Sequence, residues 1–275
     1  MTSKSISILG CGWLGFPLAQ RLLAHEFLVK GSTRTESKLK KLTEAGIKGY
    51  RIALEPELKG ANVNDFFNTE ILVVNFPPER RSNLLDYHTR QIQHLISFLQ
   101  QSTVKKVLFV SSTSVYPNVN REVTEEDVLT PKKESGAALL KAEAMLQQEK
   151  KFTSTVLRFA GLYGPDRKPG RFLAGKENMD NGMAPVNLIH LEDCVNIIVE
   201  IIQQEKWGGV YNACSDQHPT RAEFYPVAAR KMGLPAPTFR SEETSSFKII
   251  SNRKVKADLN YQFIYPDPLA AIEKL

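Results

Sequence analysis

The run Ser5-Ile6-Ser7-Ile8-Leu9, leading straight into Gly10-Cys11-Gly12-Trp13-Leu14-Gly15, constrains this chain more than any other stretch. Residues 6–10 read as a buried strand and residues 16–24 as a helix, so the glycines occupy a strand-to-helix turn. In that setting each glycine has a separate task. Gly10 permits the tight turn, Gly12 lets a pyrophosphate approach the backbone with no Cβ in the way, and Gly15 lets the helix pack close to the strand. The N–H groups of Trp13 and Leu14 then belong to a helix N-terminus, where the macrodipole favours phosphate. The pattern implies a dinucleotide-binding unit.

Strand and helix signals alternate beyond this turn. Strands are predicted over residues 27–33, 48–54 and 71–76, with a helix over 36–45. The run Ile71-Leu72-Val73-Val74 is apolar without interruption, as a strand buried on both faces should be. Pro77-Pro78 ends it, and Leu84, Tyr87, Ile92, Leu95 and Leu99 give a helix over 79–101 its apolar face. A strand over 106–110, a helix over 135–150 and a strand over 155–159 follow. Such alternation predicts an α/β fold with a doubly wound parallel sheet, the Rossmann arrangement. The regularity fails after Gly161, where Gly164-Pro165, Pro169-Gly170 and Asn181-Gly182 mark turns. Further strands are expected at 186–189 and 209–213, with helices at 191–204 and 269–274. The expected organisation is a dinucleotide-binding domain over 1–163, completed by 186–213. Residues 164–185 and 214–275 would then form a small mixed C-terminal substrate lobe.

With 275 residues, 42% of them hydrophobic, the chain has ample length for a core. No apolar run is long enough for a membrane span, and the first strand begins too early to leave room for a signal peptide. Cys11, Cys194 and Cys214 are odd in number and widely spaced, which suits a reducing, cytoplasmic setting without a disulfide framework. None of the five histidines has metal-ligand spacing, so no metal is expected. The net charge of +6 is spread along the chain rather than gathered in a stripe, which argues for an anionic small ligand over nucleic acid.

The end of the second strand bears on which dinucleotide would bind. An NAD binder usually carries an acid there for the ribose 2′-hydroxyl. This chain reads Gly31-Ser32-Thr33-Arg34-Thr35, with Lys38 one helical turn later. A guanidinium suits a 2′-phosphate, so NADP is favoured over NAD. Glu36, the nearest acid, has capping-box spacing from Thr33 and so a structural explanation.

The glycine turn, Val110-Ser111-Ser112-Thr113-Ser114-Val115-Tyr116-Pro117, Leu157-Arg158-Phe159-Ala160-Gly161-Leu162-Tyr163-Gly164-Pro165 and Leu188-Ile189-His190-Leu191-Glu192-Asp193 recur in order along nearly the whole chain. Together they resemble the extended short-chain dehydrogenase/reductase family, which includes sugar-nucleotide epimerases and dehydratases. The resemblance implies that Ser112 hydrogen-bonds the reacting oxygen. It implies that Asn75, Phe76, Pro77, Ser111 and Phe159 to Leu162 line the nicotinamide side, and that Ala53 and Leu54 flank the adenine. It also implies a small-molecule substrate and a monomer or homodimer.

The family's Tyr-x-x-x-Lys pair has no clear counterpart in Glu134-Ser135-Gly136-Ala137-Ala138-Leu139-Leu140-Lys141-Ala142-Glu143. With Lys141 as the family lysine, Ala137 stands for the tyrosine. With Glu143 aligned to the family's usual glutamate, Ser135 and Leu139 replace tyrosine and lysine, and this second register is preferred. Tyr116 and Tyr163 are the remaining candidates to pass a proton. Arg167, Lys168 and Arg171 could hold a carboxylate or phosphate of the substrate. The expected function is an NADP-dependent oxidoreductase or epimerase on a small polar or nucleotide-linked substrate. The alternative is a non-catalytic NADP(H)-sensing regulatory protein.

Overall fold

Ile6, Ile8 and all of Ile71, Leu72, Val73 and Val74 are buried, and these two runs lie side by side at the centre of a sheet. The structure is a computed structural model describing residues 4–128, 130–240 and 246–274. In chain order its elements begin β1 (Ser5–Leu9), α1 (Gly15–Ala24), β2 (Leu28–Thr33), α2 (Glu36–Glu44) and β3 (Lys48–Leu54). Next come β4 (Leu58–Gly60), α3 (Val63–Phe67), β5 (Ile71–Val74), α4 (Leu84–Gln100), β6 (Lys106–Ser112), β7 (Glu122–Val123) and α5 (Glu134–Gln148). The remainder is β8 (Thr153–Phe159), β9 (Gly161–Tyr163), β10 (Leu188–His190), α6 (Leu191–Gln203), β11 (Val210–Ala213), α7 (Arg221–Arg230), β12 (Ile249–Ile250), α8 (Arg253–Leu259) and α9 (Pro268–Lys274).

The eight-stranded sheet has the order β11-β8-β6-β5-β1-β2-β3-β4. The pairs from β6 to β3 run parallel, and the short β4 folds back antiparallel on β3. The order reverses between β1 and β5, a topological switch point of the doubly wound fold. Described residues within 1–115, 129–158 and 198–210 form one compact unit, and those within 116–128, 159–197 and 211–275 form a second. Residues 116–128, 159–163, 186–197 and 211–213, which the sequence groups with the dinucleotide-binding domain, therefore cluster with the second unit. There β9 pairs with β10, and Tyr163 packs with Val186, Leu188, Phe224, Ala228, Ala271 and Ile272.

Some elements depart from the sequence expectation. Helix α4 starts at Leu84, not Glu79. Asn83 is its N-cap, and the Tyr87 N–H donates to Asn83 O at 3.0 Å. Residues 79–83 follow a Pro-Pro pair and stay outside the helix. The Thr33–Glu36 capping box does not form, because β2 runs through Thr33 and the N-cap of α2 is Thr35. Glu36 lies 4.0 Å from Arg51 instead. The pairs β3–β4, β9–β10 and β7–β12 were not expected. Among the described residues no helix is long and apolar enough to cross a membrane, and all three cysteines are free and buried.

Candidate functional site

The carboxyl ends of β1, β2, β3 and β5 surround a cavity of about 310 Å³, lined there by Leu9, Thr33, Leu54 and Asn75. This is the crevice at the switch point, where open α/β sheets bind their ligands. The glycine turn forms one wall. Gly10 has φ +109°, and a Cβ there would fall 2.3 Å from Asn75 O. The turn is pinned from both sides. The Gly10 N–H donates to Ser32 Oγ at 2.9 Å, and Asn75 Nδ2 donates to Gly10 O at 2.9 Å. A Cβ on Gly15 would sit 2.3 Å from Gly10 O, so α1 approaches the turn as closely as glycine allows. At Gly12 the reverse holds: a Cβ there would meet no protein atom within 4 Å. Its backbone faces open space.

Gly10, Gly12, Thr33, Arg34, Lys38, Leu54, Asn75, Phe76 and Pro77, all expected from the sequence at a cofactor site, line the cavity. Trp13, Leu14, Gly15, Ser111 and Phe159 do not contribute to the lining. Several lining residues carried no readable signal. Ser32 is one. Cys11 is another; its Sγ packs against Gly31, and burial pushes the thiol up to about 12. Gln91 donates from Nε2 to Leu54 O at 2.6 Å and pairs with buried His88 through Oε1. Glu79, at the rim, accepts from Arg34 Nη1 at 2.7 Å. These residues reach the cavity through pairings of distant segments, which no local pattern encodes.

At the end of β6 the two neighbouring serines have different surroundings. Ser111 is buried and donates to the carboxylate of Glu143, which also accepts from Arg158 Nη2 at 2.6 Å. Ser112 is half-buried, and its Oγ accepts the Ser114 N–H at 3.1 Å, which leaves its hydroxyl hydrogen to donate. Helix α5 lies against the turn Thr113–Val115 so closely that a Cβ on Gly136 would be 2.6 Å from Ser114 O. Ser135, Leu139 and Glu143 share one face of α5 at helical spacing, with Leu139 and Glu143 buried. Lys141 lies on the exposed face of the helix.

In the second unit Tyr116 is buried, and its hydroxyl donates to Asn212 Oδ1 at 2.9 Å. Tyr163 is fully buried edge-on to His190, with ring centroids 5.2 Å apart. Burial holds its phenol well above the ordinary tyrosine range, so it keeps its proton. A second cavity of about 310 Å³ is lined by Arg167 and Arg221 together with Leu162, Phe172, Asn187 and Tyr225. Arg221 was missed from sequence. It is the first residue of α7, whose start is fixed by a capping box of Thr220 and Glu223. Arg171 is exposed on the turn Pro169–Arg171 and does not line this cavity. Among the described residues no cluster of His, Cys, Asp or Glu could hold a metal ion.

A doubly wound sheet with a glycine turn at its switch point and a cavity over its strand ends defines an α/β protein of the Rossmann class. The chain belongs to the NAD-dependent epimerase/dehydratase family, whose model matches residues 6–214. It is 36% identical over 269 residues to Protein YeeZ of Escherichia coli K12, covering 97% of this chain and 98% of that one. It is similar to the structure of UDP-glucuronic acid 4-epimerase from Bacillus cereus in complex with UDP-glucuronic acid and NAD. The TM-score there is 0.79 at 16% identity, over 98% of this chain and 96% of that one. The structure of MoeE5 in complex with UDP-glucose and NAD gives a TM-score of 0.78 at 20% identity, over 98% and 97% of the two chains. At these identities the two structures show a shared fold.

Proposed function

We propose that this chain binds a nicotinamide dinucleotide in the cavity of its first unit, with NADP(H) preferred to NAD(H). We further propose that it acts as an oxidoreductase or epimerase on a small polar or nucleotide-linked substrate. The observation that carries this reading is the backbone at Gly12, which opens on free space beside a turn that Asn75 and Ser32 hold in place. That is the fit a pyrophosphate needs, since phosphate oxygens must come within hydrogen-bond distance of main-chain N–H groups.

The nicotinamide supplies hydride transfer when bound. The protein's own residues bind and orient. The turn from Gly10 through Trp13 and Leu14 to Gly15 holds the phosphates. Thr33, Arg34, Lys38 and Leu54 hold the adenosine end, and Asn75, Phe76 and Pro77 line the far wall. Ser112 donates its hydroxyl to the substrate oxygen. Within the second unit, Arg167 and Arg221 line a cavity suited to an anionic group. The UDP-linked ligands of the Bacillus cereus epimerase and of MoeE5 support a nucleotide-linked substrate here.

A second reading, a non-catalytic NADP(H) sensor, draws support from the buried, hydrogen-bonded Tyr116 and from Leu139 in place of a lysine on the inner face of α5. Titration with NADPH and NADH, followed by fluorescence transfer from Trp13, tests dinucleotide binding itself. Turnover of NADPH with a panel of carbonyl substrates, lost in Ser112→Ala, rejects the sensor. Binding without turnover on any of them rejects the NADPH-dependent reductase.

A further inference from the structure

The rim of the first cavity carries an acid as well as a base. Arg34 follows β2, and Glu79 follows Pro77-Pro78 beyond β5. The guanidinium Nη1 stands 2.7 Å from Glu79 Oε1, and both residues line the cavity beside Thr35 and Lys38. Neither partner is locked in place, for their side chains are 64% and 38% exposed. Residues 75–80 have no regular secondary structure. An exposed ion pair of this kind is worth at most about 1 kcal/mol, so a ligand can displace either member. Two nearby charges face other partners: Glu36 lies 4.0 Å from Arg51, and the Arg81 guanidinium lies 3.6 Å over the Tyr87 ring.

We propose that Glu79 is a specificity-determining residue that sets the balance between the 2′-hydroxyl and 2′-phosphate forms of the dinucleotide. The proposal rests on the reading of this cavity as the cofactor site. A ribose 2′-hydroxyl needs an acceptor, and the end of β2 has no carboxylate to offer. Glu79 supplies one from across the cavity while Arg34 stays paired with it. A 2′-phosphate instead draws Arg34 and Lys38 to itself. It carries about two negative charges and repels a carboxylate already bound to the same guanidinium, so Glu79 must turn outward. The acid thus supports NAD(H) and tempers the preference for NADP(H).

The test is titration of the full chain, and of Glu79→Ala and Arg34→Gln, with NADH and with NADPH, followed by cofactor fluorescence. Glu79→Ala is expected to weaken NADH and tighten NADPH, widening the ratio of the two Kd values by about tenfold or more. Arg34→Gln is expected to move the ratio the other way by loosening NADPH. A role confined to shaping the rim would shift both Kd values in one direction. That result in Glu79→Ala, or a ratio within about twofold of the unsubstituted chain, overturns the proposal and leaves the cofactor site standing. Failure of the unsubstituted chain to bind either dinucleotide overturns the site and the proposal together.

Discussion

Ser111 at the end of β6 donates its hydroxyl to the buried carboxylate of Glu143, eight residues along α5 from Ser135. The same carboxylate is forked by Arg158, through Nη2 at 2.6 Å and Nε at 3.2 Å, in a pair whose side chains are 4% and 2% exposed. Strand β6, helix α5 and strand β8 are tied together at one point. The face of α5 that carries Glu143 is thereby turned inward, and Lys141 is turned to solvent.

Removing one member of such a buried pair strands the other charge away from water. Glu143→Ala should therefore cost about 3–5 kcal/mol of stability, read as a lowered urea midpoint. Ser111→Ala removes one hydrogen bond to a charged group and should cost about 1.5–3 kcal/mol in the same measurement.

Gly10 and Gly12 stand two residues apart and should respond in opposite ways. Gly10→Ala forces a side chain into a φ of +109° and against Asn75 O at 2.3 Å, so it should lower the melting temperature. Gly12→Val meets no protein atom at its Cβ and should melt within about 2 °C of the unsubstituted protein while losing at least about tenfold in dinucleotide affinity. Unchanged affinity in Gly12→Val would remove the turn from the binding site.

Acid should destabilise the fold before the carboxylates titrate. Burial holds the imidazoles of His88 and His190 below the ordinary value of 6.5, so both stay neutral in the folded chain while the unfolded chain takes up protons. The stability from these neutral groups is full above 6.5 and is lost as the pH falls through and below that value. Each imidazole contributes at most about 1.4 kcal/mol per pH unit in that window. Urea unfolding across the range should show this slope, and His88→Gln should reduce it.

Ser112 and Lys141 should separate in kinetics. Ser112→Ala is expected to lower turnover by about 10²-fold or more, because it removes the donor to the substrate oxygen. Lys141→Ala, on the outer face of α5, should leave kcat and KM within about twofold of the unsubstituted chain. A large loss of kcat in Lys141→Ala would restore that residue to the site.

The β1–turn–α1 unit was legible because its signal is local. An apolar strand, glycines at fixed offsets and a helix start lie within adjacent residues, and steric limits on φ and on Cβ contact leave few alternatives. The central strands were legible for a related reason, since burial on both faces demands an unbroken apolar run such as Ile71–Val74. The short pairs β7–β12 and β9–β10 were not, because two or three residues carry no periodicity and exist only through their partners.

For the candidate site, the sequence alone determined the glycine turn, the basic end of β2 and the serines closing β6. Only the tertiary structure decided what those groups meet. It set Glu79 against Arg34 from 45 positions away, brought Arg221 to the same cavity as Arg167, and gave Ser111 rather than Ser112 to Glu143. Backbone geometry is fixed by neighbours in sequence. The partner of a charged or hydroxyl side chain is fixed by whichever distant segment desolvates it, and that choice is made by the packing of the whole unit.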